Sequence, residues 1–101
     1  MPISMERKPR NLIALNETVV KANRERYYVF SAVDVERNEL ILMRVYTTRN
    51  YLTAKFFVKE VLNYCENKPK FVIDKASWLK RALESLRLEF EHETFREEKY
   101  H

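Results

Sequence analysis

The chain has 101 residues, enough for one domain with one modest hydrophobic core. Hydrophobic residues make up 46% of it, and the formal net charge of +4 is compatible with a polyanionic partner without identifying one. Glycine is absent, which excludes the glycine-rich loops of P-loop and dinucleotide-binding proteins. Because the single cysteine, Cys65, excludes an internal disulfide, a reducing cytoplasmic setting is expected. No apolar run approaches the roughly 18 residues of a membrane span, so no membrane partner is expected.

The first nine residues are polar and are predicted to form a basic N-terminal arm, residues 1–9. A solvated arm is the simpler interpretation, and the alternative is an arm that contacts nucleic-acid phosphates. The candidates for such contacts along the whole chain are Arg7, Lys8, Arg10, Lys21 and Lys75, with Arg24 and Arg26 added if the binding is non-specific.

Three segments rich in apolar, β-branched and aromatic residues follow, and they predict an antiparallel meander. The predicted strands are residues 11–20, 27–35 and 40–46, joined by short connections. Without glycine, the tight turns must place Asn, Asp or Arg in left-handed conformations, and Asn38 is the best candidate in the second turn.

The second half of the chain alternates helices and strands. Asn50 and the residues before it can cap a helix that runs to about Cys65. The predicted elements after it are a buried strand at 71–74, a helix capped by Ser77, an edge strand at 88–93 and a charged tail at 96–101. The apolar side of the second helix is expected to carry Trp78, Leu79, Ala82, Leu83 and Leu86. Helices between strands form right-handed crossovers to parallel neighbours. The order βββαβαβ therefore predicts an α/β fold, a five-stranded mixed sheet with two helices, in which the first and fourth strands are neighbours.

Asp74 closes the buried fourth strand. Ligands of open α/β sheets gather outside the carboxyl ends of such strands, so Asp74 is a candidate site residue. With the first and fourth strands side by side, Asn16 and Asp74 are expected to lie close together. The alternative interpretation of an isolated Asp at this position is a turn or helix-capping carboxylate.

Several blocks in the same order resemble the DDE-type transposases of bacterial and archaeal insertion sequences, which have a ribonuclease-H-like, integrase-like core. The blocks are Ala14-Leu15-Asn16-Glu17-Thr18-Val19-Val20-Lys21, Tyr27-Tyr28-Val29-Phe30-Ser31-Ala32-Val33-Asp34, Arg49-Asn50 and Val72-Ile73-Asp74-Lys75-Ala76. The resemblance covers residues 10–95 and implies a ribonuclease-H-like transposase core there.

The resemblance also implies chemistry: metal-dependent DNA strand transfer, in which three acids hold two Mg²⁺ or Mn²⁺ ions about 4 Å apart. It places the first acid at Asn16 and the second at Asp74, whereas no third acid is found; Glu97 and Glu98 have no reason to be correctly placed. Asn16 carries no charge, and Glu17 points to the other face of the strand. Asp74 is therefore the one expected metal ligand, and a weak one.

These residues predict a truncated, catalytically inactive transposase core whose ancestral partner is DNA. The alternative hypothesis is a non-enzymatic module that dimerises, or that binds DNA or an intact transposase and regulates it. The edge strand that carries Glu89, Glu91 and Glu93 is a candidate surface for pairing with a second subunit.

Overall fold

The computed structural model describes residues 6–73 and 78–92, with the side chain of His92 excepted. Its elements are β1 (Leu12–Ala22), β2 (Glu25–Asp34), β3 (Glu39–Tyr46), α1 (Tyr51–Leu62), β4 (Lys70–Ile73), α2 (Leu79–Ser85) and β5 (Phe90–His92). The predicted order βββαβαβ is confirmed. The prediction that α1 extends to about Cys65 is wrong, because a turn at Asn63 and Tyr64 ends the helix three residues earlier.

The five strands form one mixed sheet in the order β3-β2-β1-β4-β5. β1 pairs with β2, and β2 with β3, in antiparallel ladders. β4 lies parallel to β1 on one side and to β5 on the other. Since parallel neighbours need a long crossover connection, α1 and α2 occupy the two crossovers. The predicted sheet, with its first and fourth strands side by side, is confirmed.

Asparagine and arginine fill the left-handed backbone positions that glycine usually occupies. These positions are Asn23 (φ 51°), Arg24 (φ 67°), Asn38 (φ 53°) and Arg87 (φ 57°). Asn tolerates this conformation because its short side chain can bond the local backbone. The first two make the tight β1–β2 hairpin, whose two central residues need positive φ. The expectation for Asn38 is confirmed.

The hydrophobic core lies between one face of the sheet and the two described helices. α1 begins at a capping box in which the Asn50 side chain accepts from the Thr53 backbone. The Phe30 ring of β2 packs 5.5 Å from the Phe57 ring of α1, measured between centroids. α2 buries Leu79, Ala82 and Leu83. Trp78 was expected on this apolar side as well, but it is 41% exposed and lies at the helix N-cap position.

No described helix packs against the other face of β1, β2 and β3, which we call the open face. Alternation along the strands and the ladder registers assign to it side chains that include Ala14, Asn16, Thr18, Val20, Ala22, Glu25, Tyr27, Val29, Ser31, Val33, Met43 and Val45. Among these twelve side chains one is charged, that of Glu25 beside the β1–β2 hairpin, and Met43 and Val45 are 50% and 60% exposed. Within the part of the chain that the structure describes, no helix is long and apolar enough to cross a membrane.

Candidate functional site

Asn16 lies on β1 where the buried part of the strand gives way to its exposed part. Leu15 before it is 1% exposed, whereas Asn16 is exposed on the open face and pairs across the sheet with Ser31. Its side chain makes no hydrogen bond to another described residue. Among the described residues, therefore, nothing gives this amide a structural role.

β4 approaches Asn16 from the side opposite to β2. The β1–β4 ladder ends with the pair Ala14 and Val72, two residues before Asn16 along β1. Asp74 and Lys75, named above as the second-acid position and a phosphate contact, lie outside the described residues. The expected meeting of Asn16 and Asp74 remains a prediction.

Glu17 lies on the covered face of β1, opposite to Asn16. Its Oε2 accepts a hydrogen bond from Arg49 Nη1 at 2.7 Å, and its side chain is 12% exposed. The Arg49 guanidinium stacks 5.1 Å from the centre of the Tyr28 ring. The second carboxylate oxygen, Oε1, is buried without a hydrogen-bond partner among the described residues. Glu17 is thus neutralised by Arg49 and adds no charge on the Asn16 side.

This Glu17–Arg49–Tyr28 cluster is one that sequence reasoning missed. Glu17 and Tyr28 are diagonal neighbours across the β1–β2 ladder, because Glu17 faces Phe30 and Val19 faces Tyr28. The proximity of Glu17 and Tyr28 could have been predicted from the strand pairing. The contact of Arg49 with both residues could not, because Arg49 lies in the loop before α1.

Arg10 was predicted to contact nucleic acid, and the structure corrects that prediction. Its side chain is fully buried, and Nη1 donates to Asp34 Oδ2 at 2.9 Å. Lys8 is also engaged: its Nζ lies 3.4 Å from Glu39 Oε1, and its side chain is 20% exposed. Arg7 and Lys21 are exposed, as a phosphate contact requires.

The Arg10 side chain joins the N-terminal segment to two parts of the chain that are distant in sequence. Besides Asp34 at the end of β2, it reaches the Tyr64 carbonyl after α1 through Nε (2.9 Å) and the Glu6 carbonyl through Nη2 (2.8 Å). The Asn67 side chain bonds the Arg10 backbone twice, accepting from its N–H and donating to its carbonyl, both at 2.8 Å. These partners are scattered along the sequence, so no local pattern indicates the network.

The described residues do not fit the two-ion centre that the sequence resemblance implies. Mg²⁺ and Mn²⁺ prefer several carboxylate oxygens on one site. Asn16 offers one neutral amide oxygen, and the nearest carboxylate along the strand, Glu17, is on the other face in an ion pair. Within residues 6–73 and 78–92, no three His, Cys, Asp or Glu side chains gather in a way that could hold a metal ion.

Residues 11–100 match the family model of the DDE domain. A relative from Methanocaldococcus jannaschii, an uncharacterized protein, is 46% identical over 90 residues, which are 89% of this chain and 42% of the relative. The chain therefore spans less than half of that relative's length.

Among solved structures, the catalytic core domain of HTLV-2 integrase in complex with magnesium is similar in two forms. The dimeric form superposes with a TM-score of 0.66 at 9% identity, covering 83% of this chain and 61% of the integrase chain. The trimeric form gives 0.67 at 9% identity, covering 87% and 62%. A simian T-cell lymphotropic virus intasome in complex with a PP2A regulatory subunit gives 0.66 at 12% identity, over 90% of this chain and 34% of that one. These likenesses show the ribonuclease-H-like, integrase-like fold.

Proposed function

Because the chain belongs to the DDE domain family, we propose that it is a transposase core domain that has lost strand-transfer catalysis. The observation that carries the proposal is Asn16, an exposed amide at the position where the sequence resemblance places the first acid. Phosphoryl transfer depends on positioning and on neutralising charge with metal ions. An amide can coordinate a metal ion but supplies no negative charge to hold it. The two metal ions that would activate the attacking oxygen are therefore not assembled.

Nicking of supercoiled plasmid DNA in Mg²⁺ or Mn²⁺ tests the loss of catalysis. We expect the wild-type protein to nick no faster than its Asn16→Ala variant. Metal-dependent nicking by the wild type that disappears in Asp74→Ala would contradict the proposal and make the chain an active nuclease.

Restoring the acid tests whether Asn16 occupies a former ion site. We expect Asn16→Asp to raise the affinity for Mn²⁺ about tenfold or more, roughly 1.4 kcal/mol, in a calorimetric titration. Thr18→Asp is the matched control, because Thr18 is also exposed, on the same face of β1 and two residues further along. Equal Mn²⁺ affinities for the two variants would show that position 16 has no special relation to a metal.

The open face favours a second candidate function, a non-enzymatic module that self-associates. The one charged side chain assigned to this uncovered face, Glu25, lies at the hairpin end, and the mainly uncharged remainder is typical of a face that is buried in an assembly. The three strands offer on the order of 400 Å² per copy, judged from strand spacing and rise. Two copies would bury about 800 Å², less than stable interfaces need, so a weak, concentration-dependent dimer is expected.

Sedimentation over a range of concentrations tests this association. We expect Val45→Lys to abolish dimer formation, because it places a charge on the most exposed apolar part of the contact, the edge strand β3. Leu52→Lys is the matched control: Leu52 is equally exposed, 60%, but lies on α1 at the opposite side of the sheet. A protein that stays monomeric at the highest concentration, or a dimer that Leu52→Lys breaks instead, would eliminate the open face as the contact.

A further inference from the structure

A polar cavity of about 380 Å³ opens where β1, β4 and β5 begin, at the end of the parallel strands remote from Asn16. Its lining includes Asn11, Lys68, Pro69, Lys70, Arg87 and Glu89. Asn11 directly precedes β1 and is five residues from Asn16, which corresponds to about 17 Å of extended chain. The cavity is therefore separate from the site considered above.

Backbone hydrogen bonds hold the walls of this cavity in place. The Lys70 N–H donates to the Asn11 carbonyl at 2.9 Å, and the Phe71 N–H donates to the Glu89 carbonyl at 2.9 Å. On the third side, the Leu88 N–H donates to the Leu83 carbonyl at 3.0 Å and closes the C-terminal turn of α2. A ligand would meet a preformed frame and would spend little free energy ordering it.

The charges on the lining are mainly positive. Lys70 is paired with Glu91, whose Oε1 lies 2.6 Å from the Lys70 ammonium, and this hydrogen bond raises the pKa of Lys70. Lys68 and Arg87 have no ion-pair partner among the described residues, and Glu89 is the opposing charge on the rim. Arg87 lies in a left-handed turn, φ 57°, that ends α2. In the described part of the chain, two cations without ion-pair partners and one carboxylate leave an excess positive charge on the lining.

We propose that this cavity binds a phosphate group through Lys68 and Arg87. Arg presents a planar fork of donors that matches phosphate oxygens, Lys adds a point charge, and the Asn11 amide supplies a neutral donor. The volume is near the lower end of small-ligand sites, roughly 300–1,000 Å³, and the polar lining disfavours an apolar ligand. The phosphate can come from a free phosphate ester or from the backbone of a nucleic acid.

A titration of the full chain with inorganic phosphate, followed by amide NMR signals, tests the site. Phosphate is expected to shift the signals of Asn11, Lys68 and Arg87 beyond the shifts caused by sodium chloride at the same ionic strength. The double variant Lys68→Gln/Arg87→Gln should bind phosphate at least tenfold more weakly, and Glu89→Gln should bind it more tightly. Equal shifts in chloride and in phosphate would overturn the proposal.

The control is Lys59→Gln/Lys80→Gln, which removes the same charge from exposed positions on α1 and α2. It should change phosphate affinity less than twofold, and a loss equal to that of the Lys68/Arg87 variant would overturn the proposal.

Binding of a single-stranded oligonucleotide over a salt series identifies the source of the phosphate. If the ligand is a nucleic acid, the salt slope of log affinity should become shallower by about 1.4 in the Lys68/Arg87 variant, since each lost contact contributes about 0.7. An unchanged slope with lost phosphate binding identifies a free ester. Because these readouts involve no cleavage, they are independent of the nicking result.

Discussion

The two halves of β1 differ in how deeply their side chains are buried. At its beginning, Ile13 and Leu15 are buried under the helices, and Arg10 just before it is buried in a network of ionic and backbone partners. From Asn16 onwards, the open-face side chains are exposed and make no described side-chain hydrogen bond. The first half of the strand therefore holds the fold together, and Asn16, where the sequence resemblance places the first acid, lies where that role ends. A residue at such a position can change without unfolding the protein.

Breaking the buried Arg10–Asp34 ion pair should have the largest effect. We expect Asp34→Ala to lower the free energy of unfolding by about 3–5 kcal/mol, because it leaves the Arg10 guanidinium buried without its charge partner. Such a loss is a large fraction of the roughly 5–15 kcal/mol of a typical domain. Urea unfolding followed by circular dichroism measures it.

The double variant Arg10→Met/Asp34→Leu is the control for this prediction. Replacing both charges with apolar side chains removes the unpaired ion, so much of the lost stability should return. A loss of less than 1 kcal/mol in the single variant would show that the first half of β1 does not depend on this pair.

The next effect should come from Asn67, which holds the Arg10 backbone. Asn67→Ala removes two hydrogen bonds of 2.8 Å, and we expect a loss of about 1–2 kcal/mol. Asn67 is exposed, so water can replace part of the interaction. Asn63→Ala is the matched control, since the Asn63 side chain makes no hydrogen bond to a described residue. Equal losses in the two variants would refute a specific role for Asn67.

The sheet could be predicted from the sequence because its signals are local. β-branched runs indicated the strands, and the lack of glycine restricted the turns to residues such as Asn38. The helices between strands indicated crossovers to parallel neighbours, an arrangement in which β4 can lie beside β1, as it does. Alternation along β1 also separated Asn16 from Glu17 correctly, as the ion pair of Glu17 with Arg49 on the covered face shows.

The buried ion pair could not be predicted, because a buried charge is defined by partners that are distant in sequence. Arg10 is surrounded in the sequence by other basic residues and was taken for one of a solvated or phosphate-binding group. Its burial depends on Asp34, 24 positions away, and its backbone is held by Asn67, 57 positions away. The prediction that Trp78 lies on the apolar side of α2 was wrong for a different reason. An apolar residue at a helix boundary follows the helical period only if the helix has already begun, and α2 begins at Leu79.

The buried thiol of Cys65 is expected to make the folding stability depend on pH. Cys65 is 4% exposed, and its backbone forms an isolated β-bridge with Lys8. Burial raises the pKa of its thiol. A thiol whose pKa is higher in the folded state than in the unfolded state contributes stability below the unfolded pKa, near 8.5, and loses it as the pH rises through the folded pKa. We therefore expect wild-type stability to fall more steeply than that of Cys65→Ala above about pH 8.5.

The labelling rate of Cys65 gives a direct check on the same burial. Native protein at neutral pH should react with iodoacetamide at least about tenfold more slowly than urea-unfolded protein, because the thiolate must first be exposed and formed. Equal rates would mean that this region opens readily, and the contrast between the two halves of β1 would weaken.

The smallest change in the free energy of unfolding is expected at Asn16. This change tests directly whether the two halves of β1 differ. Asn16→Ala should change the free energy of unfolding by less than about 0.5 kcal/mol, because the side chain is exposed and has no described partner. Leu15→Ala, one residue earlier and on the buried face, should lower it by about 2–5 kcal/mol. Urea unfolding of both variants tests the pair. If Asn16→Ala lost more than about 1 kcal/mol, the amide would have a structural role, and folding rather than the proposed loss of a metal site would explain why an amide stands where the sequence resemblance places the first acid.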